Sequence, residues 1–218
     1  MFSISTKNLL SQLVKYDFYD WEQNDEIEEY ILKFGMPNNL LLNVNNFYDS
    51  WGFDAVQNEF ANPSYTTEEW LELETVFFDW LGKAGDFLFP KGKVIATPNL
   101  ERNWYLNGEQ PPIWDNKNKW MKSDYDKYIS LLHKSEVIEE GPSLREEYRA
   151  VMIEDFSEVR TLGKLSVKGV PLLFFLDEDK VITLSEYLSV IIYFRNPTLL
   201  EQNKNHLKRM LDIKILED

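Results

Sequence analysis

The sequence predicts an α+β fold: one domain, residues 1–218, with several amphipathic helices packed on a small, mostly antiparallel sheet. Three observations lead there. Helix-period apolar runs alternate with short runs of strand length, without a regular βαβ rhythm. No internal repeat is present. The most continuously apolar stretch, residues 165–194, is broken by an acidic turn, Asp177-Glu178-Asp179-Lys180, between Leu172-Leu173-Phe174-Phe175-Leu176 and Val181-Ile182-Thr183. That pattern places a hairpin at the centre of the core.

The elements follow in order. Thr6 caps a first helix with Leu9, Leu10, Leu13 and Val14 at helical spacing. Tyr16, Phe18, Tyr19 and Trp21 then crowd among Asp17, Asp20 and Glu22. Asp25 with Glu28 reads as a capping box, and Ile27, Tyr30, Ile31 and Phe34 as one helix face that ends at Gly35 and Pro37. Leu40 to Val44 reads as a strand, and Phe47 to Phe53 as an aromatic loop. Thr66 with Glu69 opens a helix whose buried side is Trp70, Leu73, Phe77, Trp80 and Leu81. Phe87-Leu88-Phe89 and Val94-Ile95-Ala96 read as a hairpin.

Residues 99–120 form an ordered loop rich in tryptophan, and the loop at 107–120 is where a domain boundary would fall. Ser123 caps a helix with Tyr125, Tyr128, Ile129 and Leu132. Ser143 with Glu146 opens another, carrying Leu144, Tyr148, Val151 and Met152 and ending near Gly163. Thr183 with Glu186 reads as the start of a buried helix through Leu188 and Ile192, while the alternation of Val190, Ile192 and Phe194 keeps a strand open. Asn196-Pro197 starts the last helix, with Leu200, Leu207, Met210 and Leu211 inward.

Composition narrows function. The chain is 44% hydrophobic and 15% aromatic, more rings than a core of this size needs, so some are expected in a cleft or interface. Its net charge of −14 disfavours nucleic acid and anionic membranes and favours a basic protein partner. Cysteine is absent, which removes disulfides and thiolate chemistry, and a cytoplasmic location is expected. Neither a signal peptide nor a spanning segment is read from the chain.

Catalytic motifs are missing. No phosphate loop, nucleophile elbow or H-E-x-x-H occurs, and His133 and His206 are the only histidines. No catalytic residue, metal ligand or cofactor is therefore assigned. Glu178-Asp179-Lys180 is an E-x-K that resembles the metal-holding arrangement of PD-(D/E)xK nucleases, with Asp155 as the available partner. Val170-Pro171 with Glu186 loosely resembles the thioredoxin-like half of glutathione transferases. Tyr187 stands where that family has serine, and only a small part of the chain is covered, so the likeness is not adopted.

The region richest in both acids and rings comprises Asp17, Tyr19, Asp20, Trp21, Glu22, Asp25, Glu26 and Glu29. Carboxylates beside aromatic anchors suit a protein that fills a basic active site. The expectation is a non-catalytic acidic binding protein, an immunity or antitoxin-type bacterial inhibitor that occludes a basic toxin domain such as a nuclease. The alternatives are a metal-dependent hydrolase using the carboxylates around residues 177–180, and a regulatory or scaffold subunit.

Overall fold

The structure, a computed structural model, describes residues 1–21, 25–26, 30–37, 40, 67–100, 104, 121–138, 148–168, 170, 172–185 and 188–216, without the side chains of residues 25, 26, 67 and 69. The fold is α+β. Ten strands occur among the described residues: β1 Phe2–Ser5, β2 Tyr19–Asp20, β3 Asp25–Glu26, β4 Ile31–Gly35, β5 Val94–Pro98, β6 Tyr148–Ile153, β7 Leu172–Leu176, β8 Lys180–Leu184, β9 Ser189–Phe194 and β10 Lys214–Ile215. Six helices accompany them: α1 Thr6–Leu13, α2 Thr67–Gly82, α3 Gly85–Leu88, α4 Lys122–Lys134, α5 Phe156–Ser166 and α6 Pro197–Met210.

Eight strands form one sheet in the order β1-β6-β5-β7-β8-β9-β4-β10, and every neighbouring pair is antiparallel. The hairpin expected at the centre is there: Leu173 faces Thr183 and Leu176 faces Lys180 across β7 and β8. Alternate residues point to opposite faces of a strand, and here both faces are dry. Leu172, Phe174, Leu176, Ile182 and Phe194 meet the helices of one layer, while Leu173, Phe175 and Val181 meet Leu9, Leu13, Tyr16, Phe18 and Tyr19 on the other.

Four sequence expectations are corrected. The helix placed at Asp25–Phe34 is extended: β3 and β4 occupy its ends, and Leu32 and Phe34 point into the core opposite Ile192 and Val190. The hairpin of Phe87–Phe89 with Val94–Ala96 does not form; the first piece is the helical turn α3, and β5 pairs with β6 and β7 instead. The helix expected through Tyr148, Val151 and Met152 is strand β6, and its helix begins only at Phe156. The helix at Leu184–Ile192 is also overturned. β8 and β9 pair antiparallel, with the Leu188 N–H donating to the Ser185 carbonyl at 3.1 Å, and Val190-Ile191-Ile192 is the β-branched run that suits a pleated strand.

Caps and faces are adjusted too. Ser5, not Thr6, accepts the capping bond of α1, from the Asn8 N–H at 3.3 Å, and Leu10 and Val14 lie outside its buried face. Met121 occupies the N-cap of α4, without a side-chain capping bond, so Ser123 does not cap it. Asn196 caps α6 as expected, accepting from the Leu199 N–H at 3.0 Å, but Met210 is exposed. The strand at 40–44, apart from Leu40, and the loops at 47–53 and 107–120 lie outside the described residues.

Helix α5 ties the helical layer together. Asp155 is its N-cap, accepting from the Ser157 N–H at 2.8 Å, while Glu158 reaches back to the Glu154 N–H at 2.7 Å. The Ser157 hydroxyl has the largest influence on the Asp155 carboxyl; burial opposes it, and the Ser157 and Glu158 N–H groups add to it, so the carboxyl is held below its usual range. Gly163 lets α5 press onto both α2 and β8: an added Cβ would sit 2.8 Å from Phe78 and 2.8 Å from Leu184. Lys164 pairs with Asp124 of α4, and Lys168, beyond the helix end, pairs with Glu74 of α2 with both side chains buried. Burial pushes the Lys168 ammonium down to about 7, against the pull of the Glu74 carboxylate.

Two outcomes follow from this packing. Gly163→Ala should destabilise by about 1–3 kcal/mol in urea unfolding, because the Phe78 and Leu184 side chains it would meet are fully buried and have little room to move aside. Asp155→Ala should cost about 1 kcal/mol at neutral pH. A carboxyl lowered in the folded state contributes stability that is present above its unfolded value of 3.8 and lost as pH falls through the folded value. Unfolding curves of the two proteins should therefore converge in acid below that range.

Candidate functional site

The second face of the sheet is covered by α1 and the chain that leaves it. After Leu13 that chain turns, with the Tyr16 N–H donating to the Leu13 carbonyl at 2.9 Å, and runs as a strap over β7, β8 and β9. Its rings hold it down. Tyr16 meets Phe175 edge-on at 4.8 Å between centroids, and Tyr19 lies 4.8 Å from Tyr193.

Arg195, one residue past β9, fastens the strap to the acidic turn. Its guanidinium donates to Asp17 Oδ1 at 2.5 Å, to Asp179 Oδ1 at 3.1 Å, to the Glu178 carbonyl at 2.7 Å and to the Lys15 carbonyl, and it lies 4.9 Å from the Phe18 ring. Burial is the largest single influence and works against the charged form, but the hydrogen bonds and charges of Asp17 and Asp179 together outweigh it, so the Arg195 pKa is raised. Lys15 adds an ion pair to Glu178 at 2.6 Å, and the Tyr16 hydroxyl accepts from the Glu178 N–H at 3.3 Å. Burial and then the carboxylates of the turn push the Tyr16 phenol up.

The turn itself is strained. Asp177 and Glu178, the first two of the three residues that join β7 to β8, have φ of 48° and 64°, left-handed values that glycine or asparagine fills more cheaply. The Asp179 N–H closes it on the Leu176 carbonyl at 3.2 Å. Such strain persists where surrounding contacts over-determine the conformation, and here Arg195, Lys15 and Tyr16 do so.

The sequence-selected residues divide as follows. Asp17 is exposed and bound to Arg195, Asp20 is partly exposed, the Tyr19 ring is buried at 1% exposure, and Trp21 is half-buried against the same cluster. β2 and β3 form a small ribbon that sets Asp20 opposite Asp25 and Tyr19 opposite Glu26. Glu22 and Glu29 lie outside the described residues. Arg195 thus joins Asp17 of the strap to Asp179 and the Glu178 carbonyl of the turn, a convergence that sequence spacing alone does not reveal.

The nuclease-like arrangement fares differently. Asp155 is engaged as the cap of α5, and among the described residues no group of three or more histidine, aspartate and glutamate side chains converges as a metal site would require. Pro171, Glu186 and Tyr187, on which the transferase likeness turned, lie outside the described residues. His133 and His206 are both exposed, and His206 stacks on Phe87 at 4.3 Å. No described helix is long and apolar enough to cross a membrane. Compared with protein-family models, with curated proteins and with solved structures, the chain matches none.

The strain in the turn can be read out directly. Replacing Asp177-Glu178 by Asn-Gly should raise stability by about 1 kcal/mol in thermal and urea unfolding. The lost Lys15–Glu178 pair is too exposed to offset this. A fall in stability would mean that the turn's carboxylates hold the fold.

Proposed function

We propose that the protein is a non-catalytic binder of a basic protein partner, and that the strap and the acidic turn form its working surface. The observation that carries this reading is the convergence of exposed carboxylates at one end of the sheet. Asp17 and Asp179 share Arg195 there, Glu178 pairs with Lys15, and Asp177 stands beside them in the same turn. A net charge of −14 supplies the long-range field that speeds encounter with a basic surface.

In its most concrete form the protein is an immunity-type inhibitor that seats on a basic toxin domain, such as a nuclease, and blocks its active site. The test is binding to the product of the adjacent gene across a salt series. Affinity should fall steeply as salt rises, and the double variant Asp17→Asn/Asp20→Asn should slow association about tenfold with little change in dissociation. Trp21→Ala, which removes a half-exposed ring, should instead speed dissociation. Binding that ignores salt and both variants would overturn the reading.

One observation favours a second reading, an enzyme working through the turn: the left-handed pair Asp177-Glu178 is the kind of strain found at reacting sites. A thermal shift with Mg²⁺ or Mn²⁺ separates the two. Stabilisation lost in Asp179→Ala would favour the enzyme.

A further inference from the structure

Beside the acidic turn, α1 and the ends of β5 and β6 enclose an open groove of about 700 Å³. Its floor is apolar and includes Ile95 and Met152, which are cross-strand partners on β5 and β6. Its rim is polar, with Glu178 and Tyr16 engaged and other groups uncommitted. Among the described residues, the side-chain amides of Asn8 and Gln12, the Lys93 ammonium and the Asp177 carboxylate make no hydrogen bond or ion pair. The last two are neighbours: β5 and β7 set Val94 opposite Leu176, so Lys93 and Asp177 are the next residues outward on adjacent strands. Close by, Lys15, Asp17, Glu178, Asp179 and Arg195 are all engaged with one another. A few unspent polar groups over an apolar floor are what a ligand site presents.

The chemistry of the rim selects the ligand. Asn8 and Gln12 stand four apart on α1 and so share one face, and each amide offers both a donor and an acceptor, the pairing that a peptide group requires. Asp177 offers an anion, held in place by a turn that Arg195 and Tyr16 fix, so little ordering is needed on binding. Ile95 and Met152 offer a surface along which the methylene stem of a long basic side chain can lie.

We propose that this groove seats an extended segment of the partner, with one arginine or lysine side chain on Asp177 and the adjoining main-chain amides on Asn8 and Gln12. Lys93 disfavours a cation on its own side of the groove and so fixes the direction of the segment. The proposal rests on the reading of the protein as a binder of a basic partner, and it adds the chemistry of the anchor.

The experiment uses the whole chain, labelled with ¹⁵N, titrated with acetyl-Gly-Gly-Arg-Gly-Gly-amide and with the same peptide carrying uncharged citrulline. The arginine peptide should shift the amide signals of Asn8, Gln12, Ile95 and Asp177 saturably. Binding should weaken about tenfold with citrulline or in Asp177→Asn, since a charge-assisted hydrogen bond is lost in each. Asn8→Ala/Gln12→Ala should weaken both peptides alike. Absence of saturable shifts at these positions, or equal binding of the two peptides, overturns the groove. If the groove is silent while Asp17→Asn/Asp20→Asn still weakens the protein partner, only the groove proposal falls; if partner binding responds to neither set, both fall.

Discussion

The structure depends on one constraint: the central hairpin is apolar on both sides and must be kept dry on both. Leu172 to Leu176 is buried at every position, and Val181 to Leu184 likewise. A strand with water on one face alternates apolar and polar residues; one covered twice does not. The helices can cover only one face. The other is left to α1 and to whatever follows it, and the run Tyr16-Asp17-Phe18-Tyr19 meets that need by turning rings inward while its acids stay at the surface. Arg195 then ties the strap to the hairpin's own turn, so one cation serves both the cover and the element it covers.

On the helical side the same constraint appears as close approach. α5 crosses the sheet with a glycine at a tight contact, and just past that point two lysines reach carboxylates, Lys164 to Asp124 and Lys168 to Glu74. Glu74 and Lys168 are removed from water altogether, which makes their pairing obligatory: separating two such charges leaves one stranded and costs about 3–5 kcal/mol. A well-packed apolar pair would serve stability equally well. What the ionic pair adds is selectivity, because only one register of α2 against the end of α5 brings the two charges together.

The central hairpin, the long helix α2, the last helix and the α+β class were legible because each rests on a long local pattern. The helix at residues 25–34 was misread because Ile31 and Phe34 satisfy a helical period as well as Leu32 and Phe34 satisfy a strand period. Pairing with β9, distant in sequence, decides between them. The helix expected through Tyr148 to Met152 gives way for a related reason: those residues pair as strand β6, and Asp155 with Glu158 carries the capping pattern that starts α5, while Ser143 and Glu146 lie outside the described residues. The site was half legible. Asp17 and Asp20 announced themselves by composition, whereas Asp177 to Asp179 read as an ordinary turn. Contacts between residues far apart in sequence, Arg195 with Asp17 and Lys15 with Glu178, bring the strap to that turn.

The strap also changes what the aromatic excess means. Rings beside acids suggested anchors for a partner, yet Tyr16, Phe18 and Tyr19 are occupied in covering the sheet, and only Trp21 among the strap's rings keeps appreciable exposure. Binding energy at an interface comes from groups that are desolvated on contact, and a ring already buried has none left to give. The strap therefore presents charge with few anchors of its own. A surface of this kind steers and orients a basic partner well, but it holds one tightly only if the partner brings its own side chain to a pocket. The groove beside Asp177 is where the described surface offers that pocket, and it is the strap's own helix, α1, that forms its wall.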